Sequence, residues 1–521
     1  MASHVEKNDV EEIMKGSEAA KASDYANYFS SYAFIYHQKQ MLSDGARMRA
    51  YRDAILGNPE CFAGKVVLDV GAGSGILSMW AAQAGAKRVI ACEFTKMADH
   101  AEALVAANGL QDVVEVRRSA AETLDLNKGD VDVIVSEWMG YFLLRESMLD
   151  SVIYARDHYL KDGGALFPNR AALFWAPASL HGARPRGRRP ASRDVGAARQ
   201  QGRLSLGPID VDSAHVWTDR SLPSRSRRAA EARPSERSTT RASKPGRRCE
   251  SHAGERDVKL AEKADAMADW DAFQDATRAD FGVDVSVLRA PYVAEQDDYY
   301  LRPAARHGAA GPGDPRRASA RASSVDVDVR TRRRRPSSAR GGGRRVRRTP
   351  SPGARAAVGS KMRAPRRRQA HWMEMRDDML AAPPARIGVI DLNTCTLAES
   401  RGIEDAPFRF PVPLDRCAAF AGWFDTYFEG SPSCPAKNPV TLSTSPADGY
   451  THWGQQVFFV PPAKVEAAVA DAGGHPRGPS STVGTISLRR QKEAVRLYNI
   501  AVKLEVVPDD PTTLDLDWEL S

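Results

Sequence analysis

The 521-residue chain is 42% hydrophobic and 27% charged with a net charge of +8, a balance ordinary for a globular protein and far from that of a wholly disordered one. No apolar run approaches the roughly 20 residues that a membrane span needs, and the opening MASHVEKNDVEEIMKGSEAAK lacks the apolar core of a signal peptide. A soluble protein of the cytoplasm or nucleus is expected, with no membrane partner, and its six scattered cysteines form no CxxC pair, which favours free thiols over a metal site.

In chain order, residues 28–56 carry helical spacing of apolar and aromatic side chains, among them Tyr28, Phe29, Tyr32, Ile35, Met41 and Leu42. KVVLDVG (65–71) reads as a buried strand and GILSMWAAQAG (75–85) as a helix closed by Gly85. RVIACE (88–93) is the next strand, MADHAEALVAANG (97–109) a helix, and VVEVRR (113–118) and VDVIVSE (131–137) further strands. Strands alternating with helices at these lengths predict a parallel, doubly wound sheet.

The middle of the chain changes character. Residues from about 181 to 249 and from about 303 to 368 are rich in Arg, Pro, Ser and Ala without a sustained period, and they carry the positive excess. Such stretches bury too little apolar surface to offset chain entropy and are expected to be disordered. Between them, 259–288 regains helical periodicity. From about Ala385 onward, short β-branched and aromatic runs separated by Gly, Pro, Asp and Ser predict a β-sandwich or barrel.

Gly71, Gly73 and Gly75 follow the first strand and precede a helix, in a GxGxG spacing more typical of S-adenosylmethionine enzymes than of dinucleotide binders. Without Cβ atoms, the backbone there can approach a ligand closely. Glu93 ends the second strand, where an acid can take both ribose hydroxyls, and Glu122 falls where a side chain can meet an adenine amino group. A plain structural turn, a nicotinamide site and an exposed loop acid also fit these residues. The fourth strand is more informative. Glu137 lies at its end and Glu146 nine residues later, among Trp138, Met139, Tyr141, Phe142 and Met148. Two acids in apolar surroundings are costly unless they hold a cation. A guanidinium suits them: it is planar, always charged, and presents a fork of N–H donors. Alternatively, Glu146 simply begins a helix, favourably placed against its dipole.

SEWMGYFLLRESM (136–148) resembles the double-glutamate loop of the protein arginine methyltransferases. YFSSYAFIYHQKQMLSDGARMRAY (28–51) resembles their YFxxY helix, VVLDVGAGSGIL their motif I, and Thr451–Trp453, preceded by LSTSP (442–446), their THW loop. The resemblance covers roughly 25–180, 254–302 and 384–505. It implies an α/β fold: a Rossmann-like S-adenosylmethionine-dependent methyltransferase domain followed by a β-barrel domain with a helical dimerisation arm.

Residue by residue, the resemblance implies that Glu137 and Glu146 clamp the substrate guanidinium. Gln38 and Arg47 would close over S-adenosylmethionine, Arg47 on its carboxylate. Asp69, Gly71 and Gly73 would line the cofactor, Glu93 its ribose and Glu122 its adenine. Met41 and Met148 would narrow the pocket around cofactor and accepting nitrogen, while Tyr28, Tyr32 and Trp453 would contact substrate. Asp44 and His452 would pair across the two domains and carry away the proton. No metal is implied. The methionines and Trp138 look like the type I branch, which makes monomethyl- and asymmetric dimethylarginine on arginine-containing proteins such as Gly/Arg-rich proteins and histone tails. The segment ADWDAFQDATRADFGVDVSVL (268–288) resembles the arm that docks on a partner's cofactor domain and implies a homodimer; a core helix pair is the other reading.

These readings divide the chain into a flexible 1–24, a methyltransferase domain at 25–180, an insert at 181–253, the arm at 254–302, a second insert at 303–383 and the barrel at 384–521. The inserts depart from the family and read either as misread gene sequence or as basic segments that bind nucleic acid or are themselves methylated, as at GGGRR (341–345). A catalytically impaired protein- or RNA-binding adaptor and a small-molecule methyltransferase are the competing functions, though the latter leaves the THW loop and arm unexplained.

Overall fold

The computed structural model describes residues 28–179, 250–301, 368–471, 481–492, 494–506 and 513–520. The expected flexible N-terminus and most of both expected inserts lie outside the described residues. Residues 1–183 and 256–521 form one compact unit; of the other, 184–255, only the helical residues 250–255 are described.

Five strands, β1 (Val66–Val70), β2 (Arg88–Glu93), β3 (Val114–Arg118), β4 (Val131–Val135) and β5 (Leu160–Phe167), form a parallel sheet ordered β3-β2-β1-β4-β5. Covered on both faces, the central strands are continuous apolar runs rather than alternating ones. Helices α1 (Ile35–Leu42) and α2 (Gly45–Leu56) precede the sheet, and α3 (Ile76–Gln83), α4 (Met97–Ala107) and α5 (Leu149–His158) are wound between its strands. The helical stretch expected over 28–56 is interrupted. A short helical segment at 28–32 ends in a bend at 33–34 and is followed by α1, and Asp44 then leaves the helical region to cap α2, its Oδ1 accepting the amides of Ala46 and Arg47 at 3.1 Å each. Strand order reverses between β1 and β4, which opens a crevice at their carboxyl ends.

β6 (Arg170–Ala178) leaves this sheet and pairs antiparallel with β9 (Ala385–Asp391) and β11 (Ala419–Ser431). Although it lies within the 25–180 stretch, it is a barrel strand; its apolar run RAALFWAPA does not say which sheet it joins. A helical hairpin follows, α6 (Glu250–Phe281) and α7 (Arg289–Leu301), and then β7 (Arg368–Gln369) and β8 (His371–Met373). These short strands fall inside the stretch expected to be a disordered insert, so that expectation fails from residue 368 onward. Two bonds anchor the segment: Trp372 Nε1 donates to the His452 carbonyl (3.2 Å) and the Met375 amide to Gln455 Oε1 (2.7 Å). Arg-rich neighbours conceal these partners, which lie 80 residues away.

The barrel continues through β10 (Gly402–Phe410), β11, β12 (Cys434–Ser443), β13 (Gln455–Phe459), α8 (Pro462–Asp471), β14 (Thr482–Arg490), β15 (Tyr498–Glu505) and β16 (Thr513–Leu520). Its sheets run β8-β13-β11-β6-β9, with β12 on β11, and β10-β14-β15-β16-β7. Aromatic rings fill the space between them: Trp175 stacks on Phe420 (5.1 Å) and meets Phe458 (5.0 Å), and Phe458 meets Trp518 (5.7 Å).

The expected arm forms as the helical hairpin α6–α7. Expected to dock on a partner, it packs here against the cofactor domain of its own chain. Asn108 and Asp284 exchange two bonds, Nδ2 to carbonyl at 3.0 Å and amide to Oδ1 at 2.9 Å. Trp80 Nε1 donates to the Phe281 carbonyl (3.3 Å), and Arg52 Nη1 to that of Asp280 (2.6 Å). Glu295 of α7 accepts the amides of Ile35 (2.8 Å) and Tyr36 (3.2 Å), supplying the cap that Phe34 at the α1 N-terminus cannot. Glu295→Ala is therefore expected to cost about 1 kcal/mol of stability, seen in chemical denaturation, and to speed amide exchange at Ile35 and Tyr36; unchanged exchange there would contradict the capping role.

Candidate active site

The crevice holds a cavity of about 980 Å³ lined from β1, β2, the loop after β4, the helical segment 28–32, α1, α5 and the β14–β15 connection. Its floor is the glycine turn. Gly71 has φ +72°, a backbone angle that favours glycine, and a Cβ there would lie 2.1 Å from Met148 Cε, the tip of a flexible side chain that would have to move aside. The Gly73 amide donates to Glu93 Oε2 (2.9 Å) and the Thr95 amide to Glu93 Oε1 (2.7 Å). A carboxylate offers about four lone-pair sites, so Glu93 keeps capacity for two ribose hydroxyls. Glu122 Oε1 accepts the Ser151 hydroxyl (2.6 Å), a partner that nothing in the sequence signals.

Glu137 and Glu146 line the same cavity as this turn. Their side chains are only 11% and 18% exposed. Arg47 grips Glu137 Oε2 through Nε (3.2 Å) and Nη2 (3.1 Å), while Glu137 Oε1 is shielded from water with no partner among the described residues. Glu146 Oε2 accepts the Tyr32 hydroxyl (2.6 Å), and Arg145 Nη1 lies 3.6 Å from Oε1. Burial pushes the Glu146 carboxyl above the usual carboxylate range, against the lowering effects of Arg145 and the Tyr32 hydrogen bond.

The loop between the two acids is pinned from both domains. Ser136 Oγ donates to the Val70 carbonyl (2.8 Å) and the Tyr51 hydroxyl to that of Ser136 (2.9 Å). Phe142 reaches into the barrel and stacks on Trp175 (6.0 Å) over Gly422, where a Cβ would meet its ring at 2.5 Å. Trp453, expected against substrate, instead lies behind the loop: its Nε1 donates to the Met139 carbonyl (2.9 Å) and its ring packs on Phe424 and His452. His452 gives its amide to Asp44 Oδ2 (2.8 Å) and sets Nδ1 2.8 Å from the same oxygen, so the expected pair forms. Burial alone would raise the Asp44 carboxyl, but hydrogen bonds and charge from His452 hold it below the usual range.

Gln38, Met41, Met148, Tyr28 and Tyr32 all line the cavity, whereas Asp44, Asp69, His452 and Trp453 do not. Tyr28 and Tyr32 pack ring to ring at 4.8 Å, and Phe29 meets Phe94 at 4.7 Å, roofing the space with two further rings. Asp69 is fully buried behind the turn. Its Oδ2 accepts the Ser78 hydroxyl (2.7 Å), its Oδ1 has no partner among the described residues, and burial pushes its carboxyl up to about 7. Asp69 supports the turn rather than facing the cavity. Arg47 lines the cavity as well and pairs with Glu137.

Comparison with known proteins accounts for this constellation. A family model for the arginine methyltransferase oligomerization subdomain matches residues 359–507, and one for a methyltransferase domain matches 67–164. Protein arginine N-methyltransferase PRMT10 of Oryza sativa subsp. japonica is 34% identical over 449 residues, 85% of this chain and 81% of that protein. PRMT10 of Arabidopsis thaliana is 32% identical over 489 residues, 93% and 88% of the two chains. The chain belongs to the protein arginine N-methyltransferase family. A crystal structure of Arabidopsis thaliana protein arginine methyltransferase 10 aligns with a TM-score of 0.53 at 28% identity, covering 95% of this chain and 100% of that one. The family match begins at 359, so the resemblance resumes well before residue 384.

S-adenosylmethionine fits the residues present: a glycine turn that a Cβ would fill, an acid at the end of β2 with lone pairs to spare, and a second acid beyond β3. Among the described residues, no helix is long and apolar enough to cross a membrane. Gly71→Ala must hold a left-handed angle at about 1–2 kcal/mol and displace Met148, and is expected to weaken S-adenosylhomocysteine binding by roughly tenfold or more in calorimetry. An unchanged affinity would show that the turn does not meet the cofactor.

Proposed function

We propose that this site transfers methyl groups from S-adenosylmethionine to guanidino nitrogens of protein arginines, giving monomethyl- and asymmetric dimethylarginine. The observation that carries the reading is the pair of largely buried carboxylates beside the glycine turn, one oxygen of which, Glu137 Oε1, has no partner among the described residues. Two anions sharing a space of low dielectric repel each other, and a planar cation bridging them relieves that cost.

Bound in the crevice, S-adenosylmethionine supplies an electrophilic sulfonium methyl. The chain's own residues do the rest. Arginine is a poor nucleophile because its lone pairs are delocalised, and its pKa is roughly 12.5–13.8. Glu137 and Glu146 draw the positive charge toward two nitrogens and leave the third richer in electron density. Positioning dominates an in-line displacement of this kind, and Met41, Met148 and the helical segment 28–32 narrow the slot around the accepting nitrogen. That nitrogen loses a proton as the new N–C bond forms. We assign the proton's final acceptance to the His452–Asp44 pair, which lies outside the cavity and receives it through solvent, with Asp44 holding Nδ1 and Nε2 left as acceptor. Gly/Arg-rich proteins and histone tails present the required side chain on extended backbone, and we propose them as substrates in the cytoplasm or nucleus.

We further propose a homodimer formed by exchange of the α6–α7 hairpin. The contacts between 108 and 284, 52 and 280, and 295 and α1 are equally available when the hairpin belongs to a second copy. Light scattering is expected to give a dimer that Trp270→Ala with Phe273→Ala disrupts, since Trp270 stacks on Tyr292 (4.3 Å) inside the hairpin and Phe273 faces Lys39 of α1. A monomer at all concentrations would refute exchange.

The main test is labelled methyl transfer to a Gly/Arg-rich or histone peptide, with asymmetric and symmetric products resolved. Glu146→Gln is expected to lower kcat by about a hundredfold or more with little change in cofactor affinity. Because Glu146 acts as the anion and its carboxyl is raised, kcat/KM of the wild-type enzyme should fall on the acid side at a higher pH than an ordinary glutamate, near 4.3, would dictate. Equal losses of turnover and cofactor binding in the variant would count against the assigned role.

A further inference from the structure

The acid loop is strained at its far end. Glu146 has φ +83° and Ser147 φ +56°, two consecutive left-handed residues, neither of them glycine. Each conformation costs about 1–2 kcal/mol and persists only where surrounding structure over-determines it. The holding element is the connection between β14 and β15. Arg496 grips both backbone polar groups of Glu146: its carbonyl accepts the Glu146 amide (2.8 Å) and its Nη1 donates to the Glu146 carbonyl (2.5 Å). The Val495 carbonyl accepts the Ser147 hydroxyl (2.6 Å).

That connection is itself braced. The Gln491 amide donates to the Leu497 carbonyl and the Leu497 amide to that of Ala494, both at 2.9 Å. Arg490 Nε donates to the Val495 carbonyl (2.5 Å) while its Nη1 reaches Asp150 Oδ2 in the first turn of α5 (2.6 Å). The Arg496 guanidinium also lies over the Tyr28 ring at 3.8 Å and the Phe29 ring at 5.1 Å. One side chain thus touches the roof of the cavity and the backbone of an acid in its wall.

We propose that Arg496 is a positioning residue for methyl transfer, holding Glu146 in the left-handed conformation that turns its carboxylate into the cavity and tying that geometry to the roof at Tyr28 and Phe29. The inference rests on the methyltransferase reading above. It adds that the reacting geometry is set from the barrel, through a loop with no motif of its own.

Several charged or titratable groups face Glu146. Arg145 comes from its own loop, Tyr28 and Tyr32 from the roof, Glu137, paired with Arg47, from the end of β4, and Arg496 from the barrel. Removing Arg496 deletes one of these cations, which raises a carboxyl still further. Replacing it by lysine keeps the charge but loses the planar fork and the stack on Tyr28.

The test measures kcat, KM for a Gly/Arg-rich peptide, the pH profile of kcat/KM and the thermal midpoint for wild type, Arg496→Ala and Arg496→Lys. An inactive wild type would refute the methyltransferase reading itself. Given an active wild type, Arg496→Ala is expected to lose about tenfold to a hundredfold in kcat, with a smaller change in KM and the acid limb displaced to higher pH. Arg496→Lys should lose kcat without displacing that limb. Wild-type kcat in either variant overturns the proposal, as does an Arg496→Ala loss that leaves the acid limb in place. Should Arg496→Ala fail to fold, Arg496→Lys decides alone: wild-type kcat overturns the proposal and a reduced kcat with an unmoved limb supports it.

Discussion

Two carboxylates brought together away from bulk water dominate this molecule. Glu137 has Arg47, but only on one oxygen; Glu146 has a tyrosine hydroxyl and a more distant arginine. A protein that only needed stability would replace such a pair by apolar side chains, because removing two anions from water costs more than these partial contacts return. The arrangement makes sense as an unsatisfied demand for one more planar cation. Much of the surrounding structure holds the two acids at fixed positions on the cavity wall.

Three structural layers share this work. The parallel sheet places Glu137 at the end of β4, beside the point where strand order reverses and the glycine turn opens. The barrel takes hold of the loop between the acids: Phe142 inserts over Gly422, Trp453 binds the Met139 carbonyl, and the β14–β15 connection fixes Glu146 and Ser147 in left-handed conformations. The helical hairpin caps α1 through Glu295, and α1 carries Gln38 and Met41 into the cavity. Barrel and hairpin thus extend the active site, for each supplies a contact that the cofactor domain cannot make for itself.

Asp44 joins two of these layers economically. One oxygen caps α2 and so orients Arg47 in its first turn; the other accepts both the amide and the ring nitrogen of His452. A change of charge on this residue would be felt at the Arg47–Glu137 pair and at the THW loop together.

The primary sequence alone determined the parallel sheet, because its strands are apolar runs punctuated by glycine and its helices have a clear period, and its closely spaced motifs picked out acids, glycines and methionines that line one cavity. Only the tertiary structure decided which sheet β6 joins, since a run buried on both faces has no preferred partner, and which residues of the hairpin meet the cofactor domain. It alone set Trp453 and Asp69 behind the site rather than in it, paired Arg47 with Glu137, and brought Arg496 onto Glu146 across 350 positions of chain. Local periodicity and spacing encode what a segment becomes; a contact between distant loops depends on how two independently patterned domains close on each other, and no local pattern carries that.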